Sequence, residues 1–257
     1  GGGGGGGGGG EAAEMVAMEV LNEVVAAAKQ LAQTVSEHKG GSPVAAAATP
    51  ANLALMVGLI SRCSSDLRTM AEVGNAQGAD VTDSETKRMI AYSEVRYCIL
   101  QVLSLLANSD VRILAMLEVG LAIVVVEDVI KCPSTNFDLI GIRVGCELLR
   151  NLCVPAHATS SRLIDADAMS ALVTAATNKC RDQNGAAAAA AGCRLLLERS
   201  SPRTPAALAF AKCYDQVLAM DVTKTHPYVR VELARAAALC TPAVVHLALC
   251  DAGLEDG

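Results

Sequence analysis

The sequence predicts an all-α fold in which short helices stack as a solenoid, on three observations. The chain is 52% hydrophobic yet has no Trp, two Phe and four Tyr, so its apolar content is Ala, Leu, Val, Ile, Met and Cys. Ala and Leu lead the helix propensity scale, and small aliphatic side chains let helices approach closely. Sandwiches and barrels draw on aromatic residues and frequent turn signals, which disfavours an all-β chain. The second observation is a recurring acidic tripeptide after apolar helical runs. Glu72-Val73-Gly74 is followed 46 residues later by Glu118-Val119-Gly120, and 47 residues on by Asp165-Ala166-Asp167. Asp251-Ala252-Gly253 comes 86 residues further, two steps of 43 with one degenerate copy between. Third, all eight prolines fall in expected connectors or at helix starts, so chain breakers and hydrophobic periodicity agree.

The elements follow in order. Residues 1–10 are a glycine run, a low-complexity tail. Residues 11–39 hold one N-terminal helix, with Met15, Met18, Leu21, Val24, Val25, Ala28, Leu31 and Val35 on one stripe, ended by Lys39-Gly40-Gly41-Ser42-Pro43. An alanine-rich connector leads to Thr49-Pro50, a cap with proline in the first turn. Ala51 to Cys63 and Asp66 to Val73 are expected as two helices, and the polar, Gly-containing segment 74–86 as a loop insertion. Glu85 to Asn108 is long, Val111 to Val119 short, and Leu121 to Lys131 follows the Gly120 turn. Pro133 to Asp138 breaks the pattern before Leu139 to Val154, whose Ile142, Cys146, Leu149 and Cys153 share a face. Ser160–Ala166, Met169–Lys179 and Gly185–Arg199 repeat the order short, medium, long. Pro202–Tyr214, Asp215–Val222, Pro227–Cys240 and a last short helix capped at Thr241-Pro242 complete the chain.

A period in the forties in an all-helical chain is the signature of armadillo or HEAT repeats. One short and two longer helices, with a glycine bend between the first two, is the armadillo unit. The expectation is therefore an armadillo-type right-handed superhelical solenoid, with about four to five repeats over residues 50–257. The chain stops four residues after Gly253, inside a unit left open, so a longer parent protein is expected.

Charge narrows the function. The net charge is −6, and residues 1–120 carry 13 acidic against 8 basic side chains. Neither a basic phosphate-binding footprint nor aromatic stacking platforms are present, so nucleic acid is not an expected partner. The apolar stretch Leu121–Val126 is far too short to cross a bilayer, and no membrane insertion is expected. Ten cysteines lie singly with no Cys-x-x-Cys pair, and the four histidines are far apart. That pattern fits neither zinc nor a disulfide framework; it fits small core hydrophobes in a reducing compartment, cytoplasmic or also nuclear. No cofactor and no metal are expected. His157 and His226 sit beside prolines at connectors, and His246 lies in an apolar run, so no local catalytic grouping stands out.

Cys146-Glu147-Leu148-Leu149-Arg150-Asn151-Leu152-Cys153-Val154-Pro155 resembles the Leu-Arg-Asn-Leu-Ala ending of an armadillo third helix. With Leu163-Ile164-Asp165-Ala166, Ser170-Ala171-Leu172-Val173, Leu105 to Asp110, Met116 to Gly120 and Val231 to Arg235, its order resembles the small-GTPase GDP dissociation stimulators, the smg GDS family. The likeness covers roughly residues 94–253 and the C-terminal half of that family. It implies a monomeric, non-enzymatic scaffold that binds Ras- and Rho-type GTPases. It further implies promotion of GDP release by deforming the GTPase, and chaperoning of prenylated, polybasic tails.

Third helices line an armadillo groove. Here they offer Glu94, Arg96, Arg143, Glu147, Arg150, Asn151, Arg194, Glu198, Arg230, Glu232 and Arg235. Asn151 leads, because an amide that both donates and accepts can hold an extended partner's backbone. The alternative role for it is a tie from its own helix to the next repeat. Glu147 and Glu232 are interleaved with arginines, the pattern of a solvated, salt-bridged face. The competing function is an importin- or catenin-like peptide adaptor without exchange activity. The third-helix tryptophans of importin-type grooves are missing, which weighs against it. An enzyme or enzyme subunit is the least supported reading.

Overall fold

The computed structural model describes residues 8–38, 41–77, 82–131, 139–154, 159–180, 182–201, 204–221 and 223–251. Within these, side chains are described except at 8–14, 73–77, 139, 178–179 and 241–251. The described residues are helices and connectors with no strand. In chain order they are α1 (Gly8–Glu37), α2 (Ser42–Ala47), α3 (Pro50–Gln77), α4 (Asp83–Leu106), α5 (Asp110–Glu118) and α6 (Leu121–Val124), which runs into a π-helical turn, Val125–Ile130. Then come α7 (Leu139–Leu152), α8 (Ser160–Asp165), and α9 (Ala168–Thr174) with a second π turn, Ala175–Lys179. α10 (Gln183–Arg199), α11 (Thr204–Ala211), α12 (Tyr214–Leu218) and α13 (Pro227–Asp251) finish the chain.

Two stretches share one local design. α5 hands over to α6 through Gly120 at φ 83°, and α8 to α9 through Asp167 at φ 57°. Left-handed backbone costs glycine nothing and is tolerated by Asp better than by most residues, so both tripeptides turn the chain at the same place in their unit. Both following helices widen into a π turn before the next long helix starts. The degenerate copy corresponds to the α11–α12 joint at Cys213, whose φ is an ordinary −100°.

The first and last copies behave differently. α3 is one helix from Pro50 to Gln77, where two helices broken at Ser64-Ser65 were expected, and it also runs on through Glu72-Val73-Gly74, where a loop was expected to start. The reason is tertiary: Leu53, Met56, Val57, Ile60, Cys63 and Leu67 form one continuous buried stripe past Ser64-Ser65. Burial of that stripe outweighs about 1 kcal/mol for a glycine inside the helix. α13 is likewise continuous through Thr241-Pro242, where a break was expected, so Pro242 lies within a helix. Gly253 lies outside the described residues.

Smaller differences concern connectors. The alanine-rich connector forms α2, with Pro43 in its first turn and Val44 and Ala47 buried. The expected 74–86 insertion shrinks from both sides. α3 reaches Gln77, and Thr82 opens α4 with a capping box. Thr82 Oγ1 accepts from the Glu85 N–H while the Glu85 carboxylate accepts from the Thr82 N–H, which holds that carboxyl below its usual range. Residues 78–81, and the expected breaks at 133–138 and Pro155, lie outside the described residues. So do residues 1–7 of the glycine run, while its last three glycines open α1.

The long helices pack in chain order: α1 on α4, α4 on α7, α7 on α10 and α10 on α13. The other helices follow beside them, with the long α3 against α5, and the short α6 against α8 and α9 against α11 and α12. One connected cluster of buried apolar side chains runs from Val25 to Cys240. By length and composition α4 could cross a membrane, yet 56% of its apolar window is buried by its neighbours.

The α7–α10 contact is close because α10 presents small residues. A Cβ on Gly185 would stand 3.0 Å from Arg143 Cα and 2.4 Å from Cys180 Sγ. Gly185→Ala must push the α10 start off α7, and an expected loss of about 1–3 kcal/mol should appear as a lower urea midpoint.

Candidate functional site

The long helices are tied to each other by polar side chains, and these ties take up the residues singled out for a groove. Lys29 Nζ of α1 lies 2.8 Å from Glu94 Oε1 of α4, and this hydrogen bond raises the lysine pKa. Asn151 of α7 donates from Nδ2 to Ser104 Oγ of α4 at 3.1 Å, and its Oδ1 accepts from Arg150 Nη2 at 3.1 Å. Asn151 therefore ties its helix to its neighbour, the second of the two roles expected for it, with one amide N–H and one lone pair left over. Glu147 sits one turn from Arg143, 4.0 Å away, on the same face.

Between α10 and α13 the arrangement is tighter. Arg194 Nε donates to Glu232 Oε2 at 2.6 Å and its Nη1 to Glu198 Oε2 at 2.5 Å. Arg235 Nη1 reaches Glu232 Oε1 at 3.0 Å. Glu232 is 1% exposed, so it is not a solvent-facing groove acid. The hydrogen bond to Glu232 is the leading cause of the raised Arg194 pKa, and the one to Glu198 adds to it, against the lowering effect of burial. Arg230 and Arg235 remain exposed on α13. Among the described residues of this face, Arg194, Glu198, Glu232 and Arg235 are paired with one another.

Arg96 is the clearest departure. Expected on the groove, it is fully buried. Its Nη1 donates to Ser64 Oγ at 3.0 Å and to the Asp128 carbonyl at 3.1 Å. Asp128, on the first π turn, accepts from Ser61 Oγ at 2.7 Å and pairs with Arg68. α3, α4 and the π turn are clamped around this group. Sequence reasoning singled out none of Ser61, Ser64, Arg68 or Asp128. The available signal was a lone arginine inside the apolar run Ile90 to Leu106. π turns are rare and often mark places where a side chain must be re-aimed, as Asp128 is.

Two clefts open beside the N-terminal ties. One of 440 Å³ between α1 and α4 is lined by Lys29, Gln33, Ser36, Glu94, Tyr97 and Gln101. A second, of 360 Å³, is apolar and lined by Val24, Leu31, Leu55, Met56, Leu59 and Ile99. Of the groove residues expected from sequence, Glu94 lines the first cleft and none lines the second. Neither a known protein family, nor a curated protein, nor a solved structure matches the chain.

No group of three or more His, Cys, Asp or Glu that could hold a metal occurs among the described residues. His226 accepts at Nδ1 from the Tyr228 N–H as a turn residue; His157 and the His246 side chain lie outside the described residues. Burial pushes the Cys63 thiol up to about 11 and the Cys153 thiol up to about 12, so both act as core hydrophobes at neutral pH.

Proposed function

We propose that this chain is an armadillo-type solenoid that binds a protein partner along its long helices, and that the partner is a small GTPase of the Ras or Rho type. The observation that carries the solenoid reading is the in-order packing of α1, α4, α7, α10 and α13, with units of short helices beside them that bend at Gly120 and Asp167. A linear array of this kind contacts only its neighbours and leaves one long-helix surface for a partner. Polar ties recur between the units. Lys131 bridges Glu127 and Asp167 at 2.8 Å each, and Arg162 lies 3.8 Å from Glu118. These pairs join one unit's bend region to the next.

The choice of partner rests on the resemblance of residues 94–253 to the GDP dissociation stimulators. On that reading the chain acts in the cytoplasm, and also in the nucleus, as a monomer without a catalytic group. It loosens GDP by stabilising a deformed GTPase. The missing third-helix tryptophans weigh against the peptide-adaptor alternative.

The test is a pull-down with GDP-loaded, nucleotide-free and GTP-loaded Ras- and Rho-type GTPases, followed by release of a fluorescent GDP analogue. Retention of the GDP or nucleotide-free form with faster release is the expected result. Equal failure in all three nucleotide states sinks the GTPase assignment.

A further inference from the structure

Five of the eight prolines follow a serine or threonine: Ser42-Pro43, Thr49-Pro50, Ser201-Pro202, Thr204-Pro205 and Thr241-Pro242. Such pairs suit helix starts, where a hydroxyl caps the helix and proline fits the first turn. Pro43 sits in the first turn of α2, and at the start of α3 Thr49 Oγ1 accepts from the Asn52 N–H at 3.4 Å. Pro242 lies within α13. Thr204-Pro205 differs in sequence and in structure. It alone carries a second proline two residues ahead of the hydroxyl, in Pro202-Arg203-Thr204-Pro205. Proline directly after an acceptor, and again two residues before it, is the pattern that proline-directed Ser/Thr kinases select. These kinases bind the acceptor in an extended chain. Proline fixes φ at about −65°, biases the residue ahead of it to extended backbone, and brings no N–H into the pocket.

Pro202 and Arg203 lie outside the described residues. Thr204 and Pro205 are both exposed, in the first turn of α11. The Thr204 hydroxyl has no hydrogen-bond partner among the described residues, so no cap is given up when it reacts. Ser200 contrasts with it: that residue is buried and its Oγ donates to the Leu196 carbonyl at 2.5 Å. α11 is anchored by Ala206, Ala207 and Phe210, all C-terminal to the Thr-Pro pair. Pro205 borders an open cleft of 530 Å³ together with Lys212 and Gln216. The acceptor and the proline after it can therefore peel from the helix end while the buried side chains stay in place.

We propose that Thr204 is the acceptor of a proline-directed Ser/Thr kinase and that its phosphate stiffens α11. Thr204 Oγ1 attacks the γ-phosphorus of ATP; a new O–P bond forms, the bond to the bridging oxygen breaks, and ADP leaves. The hydroxyl proton passes to the kinase's catalytic carboxylate. The phosphate adds about −1.5 to −2 of charge at neutral pH. On the first turn of α11 it meets the free N–H groups and the positive end of the helix. α11 packs against α8, α9, α10 and α13, so tightening its start acts on four neighbours. The site belongs to the intact chain, whichever partner the long helices bind.

The experiment treats the full chain with an activated mitogen-activated protein kinase and Mg-ATP, followed by phosphopeptide mass spectrometry. A single phosphate on Thr204 is expected, and none in Thr204→Val. Pro205→Ala keeps the hydroxyl and should be labelled at least about tenfold more slowly, the loss of one well-filled pocket. Hydrogen exchange in α11 should slow about two- to five-fold in the phosphorylated chain, the range for a charge at a helix N-terminus. Label on Ser42, Thr49 or Ser201 in place of Thr204 overturns the proposal. So does a chain that takes up no label, whether or not a peptide of residues 197–211 is labelled. Equal labelling of Pro205→Ala sinks the proline-directed assignment, and unchanged exchange in α11 sinks the stiffening.

Discussion

Arg96→Ala should lower the unfolding free energy by about 3–5 kcal/mol, the range for breaking a buried charged group out of its network. Three effects add. The side chain is fully buried, so its removal leaves a void among α3, α4 and the first π turn. Ser64 Oγ and the Asp128 carbonyl lose the guanidinium donor that lies 3.0 and 3.1 Å from them. The π turn also loses the contact that joins it to α4, while Ser61 and Arg68 still hold the Asp128 carboxylate from α3. Arg96→Met separates these causes, because it fills much of the void with no charge to solvate. Replacing a buried ionic group by an apolar one of similar size is often close to neutral, so the Met variant should recover most of the loss. Urea denaturation followed by circular dichroism measures both. An Ala variant as stable as the parent would refute the clamp.

Phe210→Ala should cost a similar amount, about 3–5 kcal/mol for a large buried aromatic, but the loss should be local. Phe210 is fully buried, with its ring centroid 6.5 Å from that of Tyr214. It sits on α11, which packs against α8, α9, α10 and α13. In a linear array, stability is a sum of unit and neighbour terms, so a defect in the last units loosens those units first. Native-state hydrogen exchange should show α11 to α13 losing protection while α3 and α4 keep theirs. A uniform fall along the chain would mean a single cooperative body, and the solenoid proposal would fail with it. Arg96→Ala supplies the mirror image, with protection lost first in α3, α4 and the first π turn.

Legibility from sequence followed the range of the interaction concerned. The helices between Asp110 and Arg199 were readable to within a few residues. Their ends are written locally, in Gly120, the Asp165-Ala166-Asp167 tripeptide, the prolines and Asp182, whose carboxylate accepts from the Gly185 N–H at 2.9 Å. α3 and α13 were misread as broken helices because Ser64-Ser65 and Thr241-Pro242 look like local breaks. In α3 a buried stripe overrides the signal. The candidate site was less legible. Glu94, Glu147, Arg150, Arg194, Glu198 and Arg235 do sit on long helices, but Arg96 and Glu232 are buried and Asn151 is used internally.

By itself the sequence determined an all-helical chain, the short, medium, long order over residues 160–199, and the bends at Gly120 and Asp167. Each depends on residues within one or two turns of each other, where backbone preference and apolar spacing act directly. Only the tertiary structure decided which polar side chains meet. Ser64 and Arg96 are 32 residues apart, Ser104 and Asn151 are 47, and Arg194 and Glu232 are 38. The same side chain faces solvent or joins a buried tie according to which helix packs over it, and helical periodicity carries no record of that neighbour.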